Sequence, residues 1–254
     1  MFDMLSETSI VAMVGLIGGI ALGLAARLGR FCTLGALEDL YYGGSSIRLR
    51  MWGIAIGVSI ITTYWLSSIG LIDLRATIYL SIAWNPLASI LGGIVFGYGM
   101  ALAGNCGFGA LSRLGGGDIR AFLIVLVLGM SAYVTISGPL AYFRIWAFGV
   151  ETPTLFPASI AVALSHYLGL SVYQVGISIG IAILSASLGS AQMLRQRAVV
   201  FWGAIVGLAI TSGWVGTQWV ANNGFDALPV VTHTFSAPIG ESLIYLMTAS
   251  GNSV

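Results

Sequence analysis

The sequence contains no lysine, and charged side chains of every kind make up only 7% of its 254 residues. A soluble domain carries about a quarter charged residues, so this scarcity excludes an ordinary water-facing surface. The ten basic residues are all arginine and stand against nine acidic ones, for a net charge of +1. That leaves no basic patch of the sort nucleic acid requires, and no nucleic-acid partner is expected. There are two cysteines, Cys32 and Cys106, too few for a disulfide framework. The two histidines, His166 and His233, have no metal-ligand spacing with them and read as interfacial hydrogen-bonding residues. No metal or cofactor is expected. Walker A, C-x-x-C and Ser-His-Asp signatures are all missing, so the chain does not read as an enzyme. The acidic opening "MFDMLSETS" lacks the basic n-region of a cleaved signal peptide, so the first apolar run is expected to stay in the mature chain.

What is present is apolar length. Hydrophobic residues are 57% of the chain, with 35 glycines and a mean hydropathy of +0.96. A bilayer-crossing helix needs about 20 apolar residues. Runs of that order occupy Ile10–Ala26, Met51–Ile69, Leu87–Ala103, Ala121–Ser137, Val172–Ser190 and Ala198–Trp219, with a further one over Phe235–Ser250. Shorter apolar pieces at Leu140–Phe148 and Phe156–Leu168 read as half-helices or interfacial segments. The runs lack period-two alternation, which excludes a membrane β-barrel. The expected class is all-α: a polytopic integral membrane protein. Arginine placement sets its orientation. With the N-terminus outside, Arg27, Arg30, Arg48, Arg50, Arg113, Arg120, Arg195 and Arg197 fall on the inner side, and Arg75 and Arg144 on the outer.

An internal repeat carries the most information. "GGIALGLAARLGRFCTLGAL" (18–37) aligns without gaps on "GGIVFGYGMALAGNCGFGAL" (92–111), with nine of twenty positions identical. Both cysteines fall 14 residues after the first glycine, and both G-A-L triplets stay in register. The repeat units extend over about 10–70 and 86–138, and 139–254 holds further spans within a single membrane domain. Each unit is expected to contain a broken helix or re-entrant loop at its cysteine. Non-helical backbone at membrane depth survives only against protein or a water-lined cavity, so a repeated break is a candidate binding site. In "GNCGFG" (104–109) the glycines allow unusual dihedrals, and "FGALSRL" can restart a helix. Cys106 then sits near a helix N-terminus, where N–H groups favour an anion. Its sulfur is soft and its S–H a weak donor. Gly104, Asn105, Gly107 and Gly109 complete this candidate site, and Cys32 before "TLGALEDL" is a second one. The fitting ligand is an anion with a soft sulfur end. Glu38 and Asp39 disfavour an anion near Cys32, and pairing with Arg48 or Arg50 accounts for them. Asp118 after "GGG" is expected to cap the next helix.

The stretch from Gly92 to Tyr133 resembles the central signature of the YeeE/YedE family, membrane proteins that transport thiosulfate and other sulfur compounds. "YLSIAWNPLASI" (79–90), "ARLGRFCTLGAL" (26–37) and "FSAPIGESLIYLM" (235–247) fit the same pattern. The resemblance implies thiosulfate uptake across a bacterial inner membrane through a narrow path in which thiols touch the terminal sulfur of the ion. It implies a central place for Cys106, a place nearer the cytoplasmic exit for Cys32, and a cytoplasmic sulfurtransferase as partner. Glu241, costly against lipid, is expected either to face the pathway, as the resemblance favours, or to lie close to the aqueous surface. Members of the family usually continue into a further half with another cysteine segment, which this chain does not contain. The alternative expectation is therefore a non-transporting accessory subunit, packed with other membrane subunits in a larger complex.

Overall fold

The computed structural model describes residues 6–77, 79–80, 85–149, 159–225 and 228–248. Within them the chain is helical, apart from one isolated β-bridge between Thr77 and Val230. Five runs are long and apolar enough to cross a membrane. They are α1 (Glu7–Arg27), α3 (Ile47–Ser68), the run Pro86–Gly115, α6 (Ile119–Ile136) and α11 (Arg197–Asn223). Between α1 and α3 lies the short α2 (Thr33–Tyr41). Pro86–Gly115 holds α4 (Pro86–Ala103) and α5 (Gly107–Gly115), separated by the break at 104–106. The remaining helices are α7 (Leu140–Phe148), α8 (Ile160–Leu168), α9 (Val172–Leu188), α10 (Ala191–Arg195) and α12 (Ser236–Met247). Helices α8 and α9 are together long and apolar enough as well but are bent by 113° at their junction, the geometry of a broken span or a re-entrant loop. The expected all-α polytopic membrane fold is thus the one found. The starts of the Phe156–Leu168 piece and the end of the Phe235–Ser250 run lie outside the described residues.

Local sequence sets the helix starts. Ser6 accepts from the Ser9 N–H, and Asn85 accepts from Ala88 just ahead of Pro86. Asp118 accepts from the Arg120 N–H at 3.1 Å, the cap expected of it. Ser171 and Gln174 form a capping box at α9.

The chain divides into two compact units, Met1–Trp84 with Thr152–His233, and Asn85–Glu151 with Thr234–Val254. In the first, glycines set the helix crossings. A methyl added at Gly57 would sit 3.0 Å from Leu184 of α9, and one at Gly203 would sit 3.0 Å from the Met51 carbonyl of α3. Gly216 receives Val14 of α1 on the other face of α11. Without a hydrophobic drive inside lipid, such small-residue contacts supply the helix association. Thr62 and Thr211 add a hydroxyl pair at 2.7 Å between α3 and α11. In the second unit α12 crosses α6 in the same way, with Gly240 facing the Gly129 carbonyl.

After α11, residues 228–235 are not helical, and Val231 and Thr232 lie back along α11 toward its middle. Thr217 Oγ1 both donates to the Val231 carbonyl (2.8 Å) and accepts from the Val231 N–H (3.2 Å). Thr232 Oγ1 donates to the Ile210 carbonyl at 2.6 Å. Threonine hydroxyls thereby satisfy backbone groups of this non-helical segment. His233 follows, with Nε2 3.3 Å from Ser212 Oγ and its ring in the space left by Gly18 of α1. His233 thus makes a side-chain hydrogen bond, as expected of it, to a residue in the middle of α11.

Candidate functional site

The break at Cys106 begins where α4 stops. Gly104 takes φ +67°, the left-handed conformation that ends a helix and that a side chain strains to adopt. Nothing lies within 4 Å of a methyl added there, so backbone conformation rather than space requires the glycine. Asn105 and Cys106 follow, and Cys106 is the N-cap of α5, its Sγ accepting from the Gly109 N–H at 3.4 Å. Both residues are buried, Asn105 at 4% exposure and Cys106 at 7%. Gly107 lets α5 approach α6, since a methyl there would meet the Leu128 side chain at 2.8 Å. Gly109 leaves room above the thiol; a methyl on it would sit 3.7 Å from Sγ. Phe108 packs against Phe235, ring centroids 5.9 Å apart, which closes one side of the break with the start of α12.

Asn105 is the unusual member. Both polar atoms of its carboxamide are buried, and neither has a hydrogen-bond partner among the described residues. A buried polar group left unmade costs about 1–3 kcal/mol. A fold built for stability alone places an apolar residue there. The break thus combines two amide hydrogens to donate, a thiol, and the positive end of a helix.

The first repeat has the same outline with different supports. Helix α1 ends at Arg27, Arg30 takes φ +52°, and Cys32 is the N-cap of α2 without a side-chain bond to its N–H groups. Phe31 is buried against Trp52, ring centroids 4.3 Å apart. Arg48 braces the turn. It donates to the Arg30 carbonyl at 2.9 Å and to Asp39 Oδ2 at 3.3 Å, and Gly35 makes room for its guanidinium. The expected pairing of the acidic residues therefore falls on Asp39 and Arg48. Arg50 has another role, donating to the carbonyls of Ala186 and Ser187 at the end of α9. Arg48→Ala should lower stability by about 2 kcal/mol, mostly through the charge-assisted bond to Arg30. Arg48→Lys should recover only part of that, because one ammonium cannot reach both acceptors as a fork does. Thermal unfolding in detergent reads both, and an unchanged midpoint in Arg48→Ala sinks the brace.

The structure brings Gly104, Asn105, Cys106, Gly107 and Gly109 together in one break. Cys32 lies in the break of the other unit. Glu241 is exposed on α12 and makes no ion pair among the described residues. Both cysteines are thiols. No cluster of metal-ligating side chains occurs among the described residues. The extended 228–235 segment went unread in the sequence, where Thr217 and Thr232 look like ordinary small polar residues.

The family model described as "Sulphur transport" matches residues 28–254. The thiosulfate transporter TsuA of Spirochaeta thermophila is 26% identical over 205 residues, 78% of this chain and 61% of that protein. TsuA of Escherichia coli K12 is 34% identical over 109 residues, 43% of this chain and 30% of that protein. The chain spans less than two thirds of the length of these curated relatives.

Proposed function

The chain belongs to the sulphur transport (YeeE/YedE) family, and on that premise we propose that it conducts thiosulfate, or a close sulfur oxyanion, inward across a bacterial inner membrane. The observation that carries this reading is the buried, unpartnered carboxamide of Asn105 beside the Cys106 thiol. Thiosulfate has an oxyanion end and a polarizable terminal sulfur. The Asn105 amide hydrogens suit its oxygens, and the Cys106 S–H suits its sulfur. Gly109 keeps a side chain away from the thiol. Each repeat unit, 10–70 and 86–138, supplies one thiol, and Cys32 is the second contact. Glu241 faces the path, because a carboxylate turned to lipid is costly. The N-terminus is periplasmic, following the arginine bias. A cytoplasmic sulfurtransferase that draws off the incoming sulfur fits an inward direction.

The test is uptake of radiolabelled thiosulfate by proteoliposomes containing the purified chain. Accumulation should exceed that of protein-free vesicles. Excess sulfate, which lacks the soft sulfur, should compete several-fold less well than unlabelled thiosulfate, since each lost bond to a charged group is worth about tenfold. Absence of protein-dependent uptake overturns the reading.

A further inference from the structure

The first unit holds a cavity of about 390 Å³ at the C-terminal end of α3, opposite the end that carries Arg48 and Arg50. Its wall is formed by the last turns of α3, the 3₁₀ turn Leu74–Ala76, the start of α8 and the start of α9. The side chains that give it chemistry are Tyr64, Ser67, Asp73, Arg75, Ser159 and Tyr173. At about 30 Å³ of liquid per water, the space admits a small oxyanion together with part of its hydration shell. Arg75 makes no ion pair among the described residues. Asp73, the one acidic group lining the space among the described residues, is engaged as a cap, its Oδ1 accepting from the Arg75 N–H at 2.9 Å. Its backbone N–H in turn donates to Gln218 of α11, which ties the turn to the helix bundle. Tyr64 Oη lies 3.5 Å from Ser159 Oγ, so the two hydroxyls face one another from α3 and the N-cap of α8.

We propose that this cavity is a binding site for a tetrahedral sulfur oxyanion, with Arg75 as its cation and the Tyr64, Tyr173, Ser67 and Ser159 hydroxyls as further donors. In naming a sulfur oxyanion the proposal rests on the transport reading above. The site belongs to a different unit from the Cys106 break and takes the ion by its oxygens alone, so it does not distinguish thiosulfate from sulfate. Its affinity is low by construction. The Asp73 carboxylate offsets the Arg75 charge, and an ion captured ahead of a transport path has to leave again. The cap holds the turn in place while its charge keeps binding weak.

That opposition of charges gives the test its signs. Thermal unfolding of the purified full chain in detergent is followed against sodium thiosulfate and sodium sulfate, with sodium chloride at matched ionic strength as the control for screening. Both oxyanions should stabilise the wild type more than chloride does. Arg75→Gln should weaken the apparent affinity about tenfold, the worth of a charge-assisted bond. Asp73→Asn keeps the cap, since asparagine serves as well there, and should tighten binding by roughly threefold through loss of a like charge. The proposal is overturned by an Arg75→Gln affinity equal to wild type, or by shifts of the same sign in Arg75→Gln and Asp73→Asn. None of these readings needs transport to occur, so a failure of uptake and a failure of this site are seen separately.

Discussion

Cys106→Ala should lower thiosulfate uptake by about 10- to 100-fold, the equivalent of losing one hydrogen bond to a charged group in a buried setting. The fold should survive. Alanine forfeits the bond that Sγ accepts at 3.4 Å from Gly109, and a lost cap costs about 1 kcal/mol. The more informative variant is Cys106→Ser. Elsewhere the chain caps its helices with oxygen: Ser6, Asp73, Asn85, Asp118, Ser159 and Ser171 each accept from the first turn of a helix. Capping alone therefore does not explain why cysteine stands at the repeated breaks. Serine is the better cap and should raise the unfolding midpoint slightly. It replaces a soft, polarizable sulfur with a hard oxygen, so uptake should stay well below wild type despite the firmer helix. Uptake at wild-type rates in Cys106→Ala removes the thiol from the mechanism. Serine restoring full uptake makes hydrogen bonding, not sulfur, the operative property.

Much of this architecture is legible in the sequence because membrane helices announce themselves by length. The runs at 10–26, 51–69, 87–103, 121–137, 172–190 and 198–219 each became a helix with ends shifted by a few residues. Helix breaks at both cysteines also followed from the repeat, since an αL glycine and a helix restart are local properties of "GNCGFGAL". What stayed hidden depends on partners distant in sequence. Arg48 reaches back to the Arg30 carbonyl across 18 residues, and nothing in "SIRLRMWG" says which arginine turns inward. The return of 228–235 along α11 rests on hydroxyls at 217 and 232 that in a soluble protein would be unremarkable. The cavity at Arg75 is assembled from four separate elements, so no window of sequence contains it.

Asn105→Leu should move stability and uptake in opposite directions. Leucine shares asparagine's branching and heavy-atom count, and the position is 4% exposed, so the substitution exposes little new apolar surface. It removes two buried polar atoms that have no partner among the described residues. Relief of one such group is worth about 1–3 kcal/mol, so thermal unfolding in detergent should shift upward. Uptake should fall at least about tenfold, because the amide hydrogens available to the oxyanion are gone. Asn105→Asp makes the complementary case. It keeps shape but places a carboxylate where an anion must pass, and should lower both stability and uptake. A carboxamide held for structural reasons behaves otherwise: its removal would cost stability and leave uptake per folded molecule unchanged. Fold and function are thus set against each other at one residue, and the two measurements together decide which of them Asn105 serves.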